Sequence, residues 1–201
     1  MAGALFDEKE LTRITGLSKP PRLLLHCCCA PCTSSVLECL SEYFCVTALF
    51  YNPNIAPEHE YIKRSEEFKK LPQFGITPDR IDLMLSEYDP GQFNKAASGL
   101  EDEPEGGARC RVCYKLRLEE TSKRASEGGF DYFTTTLSVS PHKNAAVINE
   151  IGSALTVEDG VKYLRSDFKK RDGYKRSVEL SKQYGLYRQS YCGCLSSQSA
   201  R

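Results

Sequence analysis

Residues 22–32, RLLLHCCCAPC, join a short apolar run to four cysteines within six positions. A run of this length, followed at once by turn residues, reads as a buried strand. Thr33 or Ser34 can cap a helix running to about Tyr43, with Val36, Leu37 and Leu40 on one face. Outward from this unit the same alternation recurs. Residues 45–51, CVTALFY, are rich in β-branched and aromatic side chains and predict a second strand. Residues 80–85, 132–137 and 161–164 predict three more. Helical patterns cover residues 58–70, 86–97, 110–127, 144–154 and 169–184, and Gly128-Gly129 stops the one over 110–127. Residues 52–57 carry two prolines and predict a loop. Residues 1–20 read as a leader ending at Pro20-Pro21, and residues 185–201 as irregular.

Strands alternating with helices predict an α/β fold, a parallel sheet with helices on both faces, built as a single domain over residues 1–201. In such folds ligands bind beyond the carboxyl ends of the strands. The cysteines at 27–32 follow the first strand, so they occupy the expected site.

With 201 residues, the chain buries roughly 70% of its unfolded surface and needs no disulfide to fold. No stretch approaches the ~20 apolar residues that span a bilayer, and the N-terminus lacks the pattern of a secretory signal. A reducing cytoplasm is the expected compartment, where clustered cysteines are metal ligands or redox catalysts. Lys and Arg number 27, as do Asp and Glu. A zero net charge speaks against general nucleic-acid binding, but the charge is uneven. Residues 161–201 carry Lys162, Arg165, Lys169, Lys170, Arg171, Lys175, Arg176, Lys182, Arg188 and Arg201 against Asp167, Asp172 and Glu179. This basic part can face phosphates, or it can be a solvated helix face.

The ten cysteines fall into groups. Cys27, Cys28, Cys29 and Cys32 follow the first strand. Cys110 and Cys113 lie one helical turn apart at a helix start, where both sulfurs can face one ion and the helix terminus favours thiolate. With two ligands from the first loop they make up the four thiolates usual for a cubane. A structural zinc site uses the same sulfurs, but adjacent cysteines such as Cys28-Cys29 depart from the spaced pairs of zinc ribbons. Cys192-Gly193-Cys194 reads as a strained, cycling disulfide, with a pair of metal ligands or an inert tail as the competing readings. Cys39 and Cys45 read as buried, unreactive side chains, and Cys27 as a residue pointing into the core.

Several separate blocks carry a resemblance. They are LLHCCCAPC at 24–32, FYNPNI at 50–55 with Glu60, Tyr61 and Arg64 beyond, and RCRVCYKLRL at 109–118. FTTTLSVSPHKN at 133–144, DFKKRDGY at 167–174 and YRQSYCGC at 187–194 follow. In order and spacing the chain resembles the epoxyqueuosine reductases of the QueH type, from about Leu23 to Ser196. The resemblance implies a fold similar to the adenine-nucleotide alpha hydrolase-like (PP-loop) proteins. Those proteins hold a nucleotide phosphate on a Ser/Gly-rich loop after the first strand. Cysteines replace that loop here, so ATP is not expected. The resemblance further implies a 4Fe-4S cluster on Cys28, Cys29, Cys110 and Cys113, and a redox-active pair, Cys192 and Cys194. Cys32 falls where the family carries a cysteine or an aspartate, and is a competing ligand. One of Cys28, Cys29 and Cys32 can instead hold an additional iron or face the substrate.

The implied reaction is the last step of queuosine formation on tRNA. An epoxide on the wobble base becomes an alkene and its oxygen leaves as water, with electrons from an unidentified donor. His26, His142, Tyr51 and Lys143 are the proton-donor candidates, although a strand-end histidine such as His26 is more often a packed core residue. Tyr174, Tyr187 and Tyr191, interleaved with cations, can stack on bases or pack against the protein. Two alternatives remain: an iron–sulfur tRNA sulfur-transfer enzyme of PP-loop type, which requires a Ser-Gly-Gly loop that this chain lacks, and a zinc-stabilised RNA-binding module.

Overall fold

The computed structural model describes residue 5 and residues 8–77, 81–156 and 160–199. The other residues of the expected leader, Arg80 of the expected third strand and Arg201 of the basic stretch lie outside the described residues. The elements run α1 (Glu8–Thr15), β1 (Arg22–Cys27), α2 (Ala30–Leu40), β2 (Cys45–Phe50), α3 (Glu58–Lys69), β3 (Asp82–Leu85), α4 (Gly91–Ala96), α5 (Ala108–Glu127), β4 (Tyr132–Thr135), α6 (Ala145–Ala154), β5 (Lys162–Tyr163), α7 (Gly173–Gln183) and α8 (Leu195–Ser199).

The five strands form one parallel sheet in the order β3-β2-β1-β4-β5. The parallel α/β architecture expected from the alternation is present. β1 lies at the centre, with Leu24 beside Thr47 of β2 and Phe133 of β4. Its side chains alternate between two apolar layers, as the strand period requires. Leu23 and Leu25 pack with Leu37 and Leu40 of α2 and Phe68 of α3. Leu24 faces the opposite side, with Leu118 of α5, Phe133 and Ile148 of α6. Each such buried side chain contributes roughly 1.5–3 kcal/mol. Strand order reverses between β1 and β4, which opens a crevice at their carboxyl ends.

Several boundaries differ from expectation. α2 starts at Ala30, with extended Cys29 at its N-cap and Pro31 in its first turn; neither Thr33 nor Ser34 caps it. Proline's fixed φ suits a first helical turn, so Cys32 lies in that turn. The expected strand over 132–137 stops at Thr135, whose hydroxyl accepts from the Leu137 N–H and starts a 3-10 helix over Thr136–Val139. Only residues 91–96 of the 86–97 segment are helical, as Pro90 cannot continue a preceding turn. The expected leader includes α1, whose Ile14 enters the core and whose Glu10 carboxylate accepts from the Tyr132 hydroxyl. Cys45, expected to be buried, is exposed; it begins β2 at the sheet's amino end, where burial has not yet set in.

Candidate functional site

β1 delivers three sulfurs to the crevice. Cys28, Cys29 and Cys32 have sulfurs all within 4.8 Å of one another, and those of Cys28 and Cys29 are 3.8 Å apart. Thr136, just past β4, fixes this group from the neighbouring strand. Its hydroxyl accepts from the Cys28 N–H at 3.2 Å and donates to the Cys28 sulfur at 3.4 Å. Hydrogen bonds from the Cys29 and Cys32 thiols push the Cys28 pKa well below its ordinary value, and burial opposes that shift less strongly. The partners move the other way: sharing with Cys28 pushes Cys29 up to about 12 and raises Cys32. The three thiols therefore titrate as one coupled group, in which Cys28 gives up its proton most readily.

His26 lies beneath the triad, fully buried. Its Nε2 is 3.0 Å from the Tyr51 carbonyl oxygen, which can only accept, so Nε2 carries the proton. Nδ1 then accepts from the Thr135 hydroxyl at 2.8 Å. Burial, with the nearby Arg117 cation, lowers its pKa to about 3. His26 is a neutral cross-strand tie between β4 and the end of β2.

A second group of sulfurs gathers at the start of α5. Cys110 and Cys113 line a narrow cavity together with Cys192 and Cys194 from the C-terminal segment. Cys113 and Cys194 pack with Phe93 and Ala97 of the α4 region. The Gly106 N–H donates to the Cys110 sulfur at 3.2 Å. Burial nevertheless raises both helix thiols, Cys113 to about 12. The expected helix-terminus effect is outweighed, since desolvation acts on the whole charge and the terminus on a fraction of it.

The C-terminal segment is clamped by α3. Arg64 is buried and donates from Nε to Glu60 at 2.7 Å, from Nη1 to the Cys192 carbonyl at 3.1 Å and from Nη2 to the Tyr191 carbonyl at 3.3 Å. The Ala56 N–H donates to the Gly193 carbonyl at 2.9 Å. Gly193 has φ +132, and a Cβ there would lie 2.9 Å from Ile55 Cγ1 and 3.1 Å from Asn54 Nδ2. Only glycine accepts that backbone and that closeness.

Between the sulfur groups lies a cleft of about 120 Å³ lined by Cys28, Cys32, Cys192, Arg117, His142 and Lys143, among others. Arg117 also lines the Cys110 cavity. Burial disfavours the Lys143 ammonium, but the Cys192 and Cys28 sulfurs outweigh it and raise its pKa. Tyr174, 41% exposed, stands at the cleft with Arg188 5.6 Å from its ring centre.

The structure thus brings Cys28 and Cys29 to Cys32, and Cys110 and Cys113 to Cys192 and Cys194. Cys28 and Cys29 do not line the Cys110–Cys113 cavity, while Cys192 borders both spaces. All ten cysteines are unbonded. Cys27 is buried, its thiol donating to the Leu25 carbonyl at 3.3 Å. Cys39 is partly buried, away from both groups. Tyr51 points elsewhere, donating to Gln92 at 2.8 Å. Tyr187 and Tyr191 pack on α3, bonded to Glu60 and to the Ala56 carbonyl, which leaves Tyr174 as the expected stacking tyrosine that faces solvent. Arg117, Arg64 and Thr136 stand in the stretches of sequence that carry the resemblance, which assigns none of them a role. Arg117 follows Cys110 and Cys113 by seven and four residues, on one helix face, and that periodicity is the mark that singles it out.

Comparison with known proteins agrees with this architecture. The family model described as "Epoxyqueuosine reductase QueH" matches residues 23–200. A Streptococcus pyogenes protein named epoxyqueuosine reductase QueH is 44% identical over 190 residues, covering 94% of this chain and 72% of its own length. The protein of that name from Staphylococcus epidermidis is 45% identical over 182 residues, covering 87% and 75%. The Thermotoga maritima protein of that name is 36% identical over 176 residues, covering 86% and 88%. Among solved structures, the U34-tRNA thiolase NcsA from Methanococcus maripaludis, with its 4Fe-4S cluster, superposes with a TM-score of 0.56 at 16% identity, over 96% of this chain and 68% of that one. That likeness is one of fold. Matched along nearly its whole described length by the family model and by these relatives, the chain belongs to the QueH family of epoxyqueuosine reductases, which are oxidoreductases.

Proposed function

We propose that this chain reduces epoxyqueuosine to queuosine at the wobble base of tRNA, in the reducing cytoplasm and without ATP. The observation that carries the reading is the crevice between β1 and β4, with three sulfurs within 4.8 Å at its floor and a second sulfur group reached through Cys192.

The residues present fit a metal–sulfur group. Six thiols line two adjoining spaces, with Cys29 beside Cys28 at 3.8 Å, and a buried guanidinium nitrogen of Arg117 between them has no hydrogen-bond partner among the described residues. Cys110, Cys113, Cys192 and Cys194 would hold a 4Fe-4S cluster, for they share one cavity and make up the usual four thiolates. Cys28, Cys29 and Cys32 would hold an additional iron. The assignment implied by resemblance places the cluster on Cys28, Cys29, Cys110 and Cys113 and leaves Cys192 and Cys194 as a redox pair; the sharing of one cavity favours the first division. When bound, the cluster supplies electrons one at a time.

Converting the epoxide to an alkene breaks both carbon–oxygen bonds, forms the double bond and releases water. It consumes two electrons, from an external low-potential carrier, and two protons. His142 and Lys143 line the cleft and are the residues placed to donate to that oxygen as it leaves. His26 is buried, neutral and tied on both sides, so it serves the scaffold. Tyr174 and Arg188 offer a stacking face to a base splayed from the anticodon loop.

The test is anaerobic purification, assay of iron, sulfide and zinc, and incubation with epoxyqueuosine-containing tRNA and a strong reductant. Loss of the epoxide by mass spectrometry is expected. Stoichiometric zinc with no loss of the epoxide would refute the reading. Cys192→Ala separates the two divisions: cluster loss supports the four-thiol cavity, and a retained cluster without turnover supports a redox pair.

A further inference from the structure

Arg117 is 1% exposed, yet among the described residues it has no carboxylate partner. Its Nε donates to the Cys113 carbonyl at 3.1 Å, its guanidinium carbon lies 6.0 Å from the centre of the neutral Tyr114 ring, and its buried Nη2 has no hydrogen-bond partner among the described residues. A guanidinium is always charged, and burying an unpaired charge is costly. The side chain is therefore built to meet an anion. It lines both the cleft beside Cys28 and the cavity of Cys110 and Cys113, and Lys143 lines the first of these. At 1% exposure Arg117 presents no open surface on which a tRNA phosphate could lie.

We propose that Arg117, with Lys143 in the same cleft, is a fixed positive charge that stabilises the anionic metal–sulfur centre held by the facing thiols, most strongly in its reduced form. Thiolate ligation gives such a centre negative charge, and one-electron reduction adds one more. In a buried site of low dielectric a nearby cation interacts more strongly with the more negative state, which raises the reduction potential. Arg117 is a positioning residue in this role, because it acts on the centre and not on the substrate. The inference rests on the iron–sulfur reading above.

The test is a dye-mediated redox titration of the loaded full-length protein, followed by absorbance and by electron paramagnetic resonance, with no substrate present. Arg117→Gln and Lys143→Gln are expected to lower the ratio of reduced to oxidised centre at fixed poise by tenfold or more for Arg117, about 59 mV for a one-electron couple, and by less for Lys143. Arg117→Lys, which keeps the charge, is expected to stay near wild type. Iron lost from a folded Arg117→Gln protein but kept by Arg117→Lys also supports the inference, and Lys143→Gln then supplies the potential. Unchanged potentials in both Gln variants overturn it. So does an Arg117→Lys shift as large as that of Arg117→Gln, which would show packing at work. Wild-type protein without iron overturns the iron–sulfur reading and the inference with it.

Discussion

The Arg64 guanidinium donates from Nη1 to the carbonyl oxygen of Cys192 at 3.1 Å, across 128 residues of sequence. The same side chain is neutralised by Glu60 on its own helix. One buried ion pair therefore decides where the Cys192-Gly193-Cys194 backbone sits, and with it whether the C-terminal sulfurs meet those of α5.

Removing Arg64 should cost both stability and site geometry. Arg64→Ala leaves Glu60 buried and unpaired, a loss of about 3–5 kcal/mol. Urea denaturation measures the first effect. The second appears as faster labelling of Cys192 and Cys194 by a thiol reagent in metal-free protein, and an unchanged labelling rate would contradict the clamp.

Gly193→Ala and Gly185→Ala form a matched pair. Gly185 has φ +61 and nothing within 4 Å of where a methyl group would stand, whereas Gly193 has φ +132 with three side chains close by. The Gly185 change should cost about 1 kcal/mol. The Gly193 change should displace the segment and reduce retained iron severely. Equal iron contents in the two variants would count against a backbone constraint at Gly193.

His26 should make the protein acid-sensitive. Its folded pKa, about 3, lies below its ordinary value of 6.5, so the unfolded chain binds the extra proton first. Stability from keeping the ring neutral is fully present above pH 6.5. It falls as pH drops from there toward 3, by roughly 1.4 kcal/mol per pH unit. Between about pH 7 and about pH 4.5, the difference in unfolding free energy should shrink by about 2.5 kcal/mol in His26→Gln. An identical pH dependence in the variant would show that His26 is not the cause.

Tyr174→Ala should weaken binding of an anticodon stem-loop by about 1–3 kcal/mol, the range for one stacked base, while Tyr174→Phe binds normally. Tyr187→Ala should act on stability instead, as its hydroxyl bonds to buried Glu60 at 3.2 Å. Fluorescence anisotropy and thermal melting distinguish the two effects.

The sequence carries the layered sheet openly. The apolar run at 22–26, the β-branched run at 45–50 and the helical patterns between them are local signals, because strand and helix periods are written in neighbouring residues. The helix start at Asn144, whose side chain accepts from the Ala146 and Val147 N–H groups, is another. Boundaries at Pro31 and Thr135 were less legible, since each depends on a turn whose hydrogen bonds compete with the regular pattern.

By itself the sequence determined that this is a parallel α/β protein with a thiol-rich site after its first strand, and that Cys110 and Cys113 share a helix face. It did not determine which sulfurs meet. The strand reversal between β1 and β4 sets Thr136 against Cys28, and the Glu60–Arg64 pair draws the C-terminal segment onto the start of α5. Those contacts join residues more than a hundred positions apart and leave no periodic mark in the chain. They exist because buried charges and backbone groups must find partners wherever the folded chain supplies them, and only the tertiary structure decides where that is.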